Sequence, residues 1–288
     1  MTRSTRAWFA AGLAGLVGAT AAHTAVLLGA GAWAAMVHLT IFGWITALIV
    51  AVSYHTMPVF SGRDFPQPRL AWLQLGLFAA GLGAVTISAA GAGAAAQVAG
   101  LGLELAAALV FAANTALLFT RGIPRGGPPP RPPIPNQAQV DRIGTTATKA
   151  AGVCLPLSLG LLLAAQAGAL GGEWWLAAEH LAALGWVMLM IVGVGYHVLP
   201  RFSGRGVRGT GWARAQVTCH LAALPAIVAG LGLGVRPLFA AGGALMALAA
   251  ALFAYTVWPT LRAAEARPGA IALHPSGRGA MAREGESR

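Results

Sequence analysis

Six histidines lie within apolar sequence, where an ionisable side chain is costly and usually has a function. Four of them belong to a motif that occurs twice, 142 residues apart, so that His38 and His55 return as His180 and His197. Imidazole is the commonest axial ligand of haem iron and a frequent ligand of other metals. The duplicated histidines are therefore the first candidates for a cofactor site.

The other two histidines in apolar sequence, His23 and His220, are not duplicated. With a rise of about 1.5 Å per helical residue, His23 is level with His38, and His220 with His197, near opposite membrane surfaces. Two imidazoles at one depth on neighbouring helices are suited to bis-His ligation of haem. The predicted pairs are His23–His38 and His197–His220 within halves, or His38–His180 and His55–His197 across them. The two histidines of one span should face different neighbours, because seventeen α-helical residues rotate them by about 100°.

The composition limits the folds that can position these side chains. Only 9% of the residues are charged and 57% are hydrophobic, whereas about a quarter of a soluble domain is charged. Apolar runs of about 20 residues can each cross a bilayer. We predict eight spans, at 8–30, 33–58, 70–93, 95–120, 147–170, 174–200, 212–234 and 237–261.

The duplication divides the spans into two groups of four. It predicts an all-α, polytopic membrane helix bundle, in which eight transmembrane helices form two parallel four-helix repeats about an axis along the membrane normal. The predicted units are the first repeat at 1–121, a Pro-rich cytoplasmic linker at 122–145, the second repeat at 146–262 and a polar cytoplasmic tail at 263–288.

The basic residues predict the orientation. If both termini are cytoplasmic, 18 of the 19 Lys and Arg lie on the cytoplasmic side and only Arg236 lies outside. This agrees with the positive-inside rule and indicates a multi-pass protein of a bacterial inner membrane. The net charge of +11 is then explained by orientation and by attraction to anionic lipid, and it needs no nucleic-acid partner.

Several other polar residues are candidates for supporting roles. Arg63 and Arg205, which end the Phe-Ser-Gly-Arg of each motif copy, could pair with haem propionates at the inner surface. Glu104 is a carboxyl within span four that could relay protons or coordinate metal. Glu179, beside His180, is expected to be solvated at the outer surface.

The repeated pattern His-Leu-x3-Gly-Trp-x4-Ile-Val-x-Val-x-Tyr-His-x2-Pro-x-Phe-Ser-Gly-Arg resembles two families. It is similar to short membrane proteins related to the catalytic subunit (subunit I) of haem-copper oxidases, and to the NnrS-type haem proteins of the bacterial nitric-oxide response. The resemblance covers spans two and six with their following loops. It implies haem b ligation, with the four duplicated histidines as ligands.

The chain also departs from these families. It has no adjacent pair of histidines, which argues against a copper–haem binuclear centre for dioxygen reduction. It has no Cys-x2-Cys-His sequence for covalent haem attachment, so any haem is of b type.

The sequence therefore predicts a membrane protein with one or two b haems, for electron transfer or redox chemistry of nitric oxide or dioxygen. Quinol is a candidate partner, a quinol- or nitric-oxide-linked oxidoreductase is one form of this function, and a homo-oligomer is compatible with it. A soft copper site at Cys219 and His220, with Cys154, is an alternative metal site. The alternative functions are a small-molecule or metal transporter without haem, and an assembly factor.

Overall fold

The computed structural model describes residues 1–31, 33–126 and 134–262. Within these ranges, eight helices are long and apolar enough to cross a membrane. They are α1 Arg3–Leu27, α2 Trp33–Ser61, α3 Arg69–Ile87, α4 Ala94–Arg121, α5 Gln137–Gln166, α6 Trp174–Ser203, α7 Thr210–Gly232 and α8 Arg236–Leu261. The prediction of an eight-span, all-α membrane bundle is confirmed. The prolines at 128–130 and 132–133 and the tail at 263–288 lie outside the described residues.

The helix bounds follow the predicted spans closely except at the start of the fifth. That span was expected to begin at 147, whereas α5 begins at Gln137. Its first turns contain charged residues, which a hydropathy criterion excludes from a span. They are nevertheless helical, and the Gln137 amide donates to the Asp141 carboxylate one turn later at 2.7 Å. The cytoplasmic linker of the sequence prediction is therefore shorter than 122–145.

The Phe-Ser-Gly-Arg sequences end α2 and α6 in the same way. Gly62 and Gly204 have left-handed backbone, with φ of 65° and 68°. This conformation favours glycine, because a Cβ would be strained there. The hydroxyls of the preceding serines accept hydrogen bonds from the backbone N–H of Arg63 and Arg205 at 3.3 and 3.2 Å. This part of the motif is thus a helix stop.

Both α2 and α6 contain a π-helical segment, at Leu39–Thr46 and Leu181–Met188. The two segments occupy equivalent positions of the motif. A π-helix has more residues per turn than an α-helix and often occurs at functional sites. The rotation of about 100° that ideal α-helices predict between the two histidines of each span therefore does not apply.

Other local features also recur in the two halves. The Tyr54 hydroxyl donates to the Gln74 side-chain oxygen at 2.6 Å, and the Tyr196 hydroxyl donates to that of Gln216 at 3.2 Å. Each member of the first pair is 142 residues before its counterpart in the second. The parallel arrangement of two whole repeats about one axis stays a prediction.

The helices that carry the duplicated motif lie at the centre of the bundle. In the most apolar window of α6 50% of the residues are buried, and in that of α2 44%, against 17% in both α1 and α8. The halves meet where α4 packs on α5 and where the two π-helical segments touch. There, the fully buried Trp186 donates from Nε1 to the Thr46 hydroxyl at 2.8 Å. Its ring also contacts Phe111 edge to face, with centroids 5.9 Å apart.

Candidate functional site

The six candidate histidines have different surroundings. In the isolated chain His38 and His220 are buried, His180 and His197 are partly buried, and His23 and His55 are exposed. Among the described residues, no hydrogen bond, ion pair or ring contact joins two histidines. No direct contact links the members of the depth-matched pairs, and their pairing through a haem stays a prediction.

His38 belongs to a buried cluster with two glutamates. Its Nε2 is 3.1 and 3.0 Å from the two oxygens of Glu104, and its Nδ1 is 4.0 Å from Oε1 of Glu179. All three residues are buried, including Glu179, which was wrongly expected to be solvated. It is buried because it points from α6 across the interface between the halves. The Nε2 atom of His38 is therefore engaged by Glu104, whereas its Nδ1 makes no hydrogen bond to Glu179.

The rings of His23 and His180 are each held by their own helix. Nδ1 of His23 is 2.8 Å from the carbonyl of Ala19, and Nδ1 of His180 is 2.9 Å from that of Leu176. This contact fixes the proton on Nδ1 and leaves Nε2 as the basic nitrogen, which is the tautomer of many metal-bound histidines. However, His23 lies on the bundle surface and His180 packs against Phe239, so neither faces a described cavity.

His220 has a structural contact instead of a cavity. It is fully buried, and its Nε2 is 3.0 Å from the carbonyl of Leu184 in the π-helical segment of α6. A buried carbonyl needs a donor, and the irregular pairing of a π-helix makes such a side-chain partner valuable. Its Nδ1 is also buried and has no hydrogen-bond partner among the described residues.

His197 has the geometry that a metal-binding imidazole requires. Its Nδ1 is 2.9 Å from Oδ1 of Asp141, and its Nε2 is 3.5 Å from the Thr145 hydroxyl. Arg201 makes a bidentate pair with the same carboxylate, with both N–O distances 2.8 Å. The ring of Phe60 stacks on the imidazole, with centroids 5.6 Å apart. Three contacts therefore fix the ring orientation and leave Nε2 with only a weak protein partner.

The His197 side chain lines a cavity of about 560 Å³ between α2, α4, α5 and α6. This size is within the range of about 300–1,000 Å³ that is typical of small-molecule sites. One end carries the charged side chains of Asp141 and Arg201, Lys149 lies two turns further along α5, and several Thr and Ser also line the cavity. Apolar walls come from Met57, Phe60, Phe111, Phe119, Val153, Met190 and Val194. The cavity is thus amphipathic, with one imidazole at its charged end.

The two motif arginines do not line this cavity. Nη1 of Arg63 donates to the carbonyl of Phe119 at 2.8 Å, and Nη1 of Arg205 donates to that of Arg262 at 3.5 Å. Both carbonyls lie at helix ends, where a cation is favourable. Arg201 and Lys149, which the motif did not single out, are the cations at the cavity.

A second cavity, of about 540 Å³, lies beside α2 and is lined by His55, Tyr54 and Asn114. The Asn114 amide donates to the Tyr54 hydroxyl at 3.2 Å, and this hydroxyl donates to Gln74. Gln74 also lines a small void, together with Glu104. His55 and His197 therefore open on different cavities.

Sequence reasoning missed the polar residues of α5 that complete the His197 site. Gln137, Asp141, Thr145 and Lys149 follow one another at intervals of four, the spacing that places side chains on one helix face. This spacing was visible in the sequence. It was overlooked because the span was started at 147, and the first three residues were assigned to the linker.

Metal ligation by clustered side chains is not evident in the described ranges. Within them, no group of three or more His, Cys, Asp or Glu is placed to hold a metal ion. Cys154 and Cys219 are free thiols, the first buried and the second partly so.

Comparison with known proteins finds no family model that matches the chain and no curated protein with significant similarity to it. The resemblance of the motif to haem proteins therefore stays a prediction.

Proposed function

We propose that the protein is a membrane-embedded b-type haem protein and that His197 is its axial ligand, at the cavity between α2, α4, α5 and α6. The observation that carries this proposal is the hydrogen bond of 2.9 Å from His197 Nδ1 to Asp141. Metal-binding histidines commonly donate their second N–H to a carboxylate, which fixes the tautomer and raises the basicity of the ligating nitrogen. None of the other five histidines combines such a partner with a described cavity.

The cavity fits a haem in two further respects. The space is large enough for a small-molecule ligand, and its walls are mainly apolar. Lys149 lines the cavity, has no ion pair among the described residues and could pair with a propionate, whereas Arg201 is held by Asp141. These contacts support one haem with a single protein ligand better than they support bis-His ligation.

Bound haem would supply one-electron redox chemistry and, with one protein ligand, an open coordination position for a diatomic gas. The protein residues have separate tasks in this proposal. Asp141 keeps the proton on Nδ1 of His197, and Arg201 and Gln137 hold the carboxylate in place. Phe60 restricts rotation of the imidazole. Nitric oxide, dioxygen or quinol is then the proposed reaction partner, in a bacterial inner membrane with both termini cytoplasmic.

The spin state of the iron tests the single-ligand arrangement. We expect electron paramagnetic resonance of the oxidised protein to give a high-spin signal, because His197 is the only protein ligand in this proposal. Carbon monoxide should bind the reduced protein readily. A low-spin signal with no carbon monoxide binding would instead support bis-His ligation and would require the side chains described above to rearrange.

The Asp141→Asn variant tests the role of the carboxylate. It should weaken haem binding by about 10–100-fold, the usual effect of losing the partner that orients a metal ligand. The measurement is a haem titration of the apoprotein followed by visible absorption. Asp64→Asn is the matched control, because Asp64 pairs with Arg125 on the surface at 2.7 Å and lies outside the His197 site. Equal affinities for the two variants would show that Asp141 does not support the ligand.

A transporter without haem is the second candidate. The second cavity, together with the buried polar groups at Tyr54, Gln74 and Asn114, favours it, because such groups inside a membrane bundle often mark a solute or proton path. A colourless protein that conducts protons or solutes in vesicles would select this function over the haem.

A further inference from the structure

A groove of about 430 Å³ lies between α5 and α7, away from the His197 cavity. The two helices are in contact and, as alternate spans, begin at the same end of the bundle. The groove is lined by Gln139, Arg142, Ile143, Thr146, Arg214, Val217, Thr218 and Leu221. The groove and the His197 cavity both use α5, but they share no lining residue.

The chemistry of the groove changes along the helices. Arg142 and Arg214 come near the beginning of α5 and α7, at the charged end of the bundle. Ile143 directly follows Arg142, and Val217 lies three residues after Arg214. Both are buried and form an apolar floor, and Leu221 lies one turn beyond Val217. The order from cationic to apolar is that of the headgroup and acyl chains of an anionic phospholipid.

The two arginines are available for an anion. Both are exposed, and no ion pair within the described residues involves either of them. No carboxylate is among the residues that line the groove, and Thr146 and Thr218 add exposed hydroxyls that can donate to phosphate oxygens. Arg142 is held along its helix, since its Nε donates to the carbonyl of Ala138 at 3.3 Å. The duplication does not repeat this site, because Trp72 stands at the position equivalent to Arg214.

We propose that this groove is a binding site for one anionic phospholipid, with the phosphate between Arg142 and Arg214 and the acyl chains over Ile143 and Val217. Basic pockets between transmembrane helices are known to take acidic headgroups. The proposal does not depend on haem. It assigns the groove a lipid because the apolar floor continues beyond the cations, whereas a free phosphate would use the cationic end alone.

The test is native mass spectrometry of the purified full-length protein in detergent, with phosphatidylglycerol or phosphatidylcholine added. We expect one phosphatidylglycerol to remain bound under conditions that remove phosphatidylcholine. The double variant Arg142→Ala/Arg214→Ala should bind phosphatidylglycerol about thirtyfold more weakly, because each cation near an anionic surface contributes about fivefold in affinity. Arg142→Lys/Arg214→Lys, which keeps both charges, should retain most of the binding.

The control is Arg69→Ala/Arg208→Ala. Arg69 is the first residue of α3, and Arg208 lies in the loop before α7. Both are exposed, near the same end of the bundle and outside the groove. This double variant should bind phosphatidylglycerol like the wild type. Equal losses in the two double-alanine variants would overturn the proposal, since they would show general charge attraction. Equal binding of the two lipids, or displacement of phosphatidylglycerol by inorganic phosphate at similar concentration, would also overturn it. Size-exclusion profiles would show whether each variant is folded, independently of its colour.

Discussion

Replacing His197 by Ala is expected to leave the purified protein without haem, whereas the wild type is red. The loss should be nearly complete, because the proposed site has one protein ligand and the substitution removes it. Asp141 and Arg201 would keep their ion pair, with N–O distances of 2.8 Å, so the cavity wall should survive the change. The measurement is the ratio of haem to protein, from the pyridine haemochrome and the amino-acid content of the same sample.

Two further histidine variants serve as controls for this result. His55→Ala changes an exposed residue that lines the other cavity, and it should keep the haem. His180→Ala alters the histidine that is held by Leu176, and it should also keep the haem. Loss of haem in either control with full retention in His197→Ala would contradict the assignment. Loss in both His197→Ala and His220→Ala, with a low-spin wild type, would restore the bis-His pair.

Replacing Trp186 by Ala should produce the largest loss of stability. The residue is fully buried between the halves, and removing a buried large aromatic side chain costs about 3–5 kcal/mol. The change also removes the hydrogen bond of 2.8 Å to Thr46 and the edge-to-face contact with Phe111. The midpoint of thermal unfolding in detergent, followed by circular dichroism, should fall clearly.

Trp44 is the matched control, because it occupies the equivalent position of the first motif copy but is only partly buried. Trp44→Ala should lower the unfolding midpoint by much less than Trp186→Ala. Equal losses in the two variants would show that the contacts of Trp186 between the halves do not provide the extra stability expected of them. Trp186→Phe should be intermediate, since it keeps most of the apolar volume and loses the N–H donor.

The number of helices was predictable from the sequence because the bilayer imposes a minimum length on each apolar run. The central position of the two helices that carry the duplicated motif was not predicted and follows from their burial in the structure. The start of α5 was not predictable in this way, because its first turns are polar and the helix continues through them to Gln137. For this reason the predicted site did not include Asp141 and the polar residues near it.

The hydrogen-bond partners of the histidines could not be predicted from depth. Equal depth says nothing about direction, and the π-helical segments of α2 and α6 change the direction in which the later His55 and His197 project. His38 and His220 meet Glu104 and a backbone carbonyl. A buried imidazole needs hydrogen-bond partners whether or not it binds a metal, and both partners come from helices that are remote in sequence.

The two halves also differ in the residues that surround equivalent histidines. Glu104 contacts His38, but the equivalent residue in the second half is Met246, and Glu179 has Val37 as its counterpart. Two of the duplicated histidines, His38 and His197, therefore have carboxylate partners, near opposite ends of the bundle. Identical motif residues thus have different surroundings, which only the packed structure reveals.

The visible absorption spectrum of the protein, purified from cells with adequate haem supply, tests the central claim most directly. We expect a Soret band and a pyridine haemochrome of b type, with haem and protein in about equal amounts, because the proposed site has one histidine ligand and the sequence has no thioether-forming motif. A folded, monodisperse protein without a Soret band, and with no haem uptake on titration, would contradict the account.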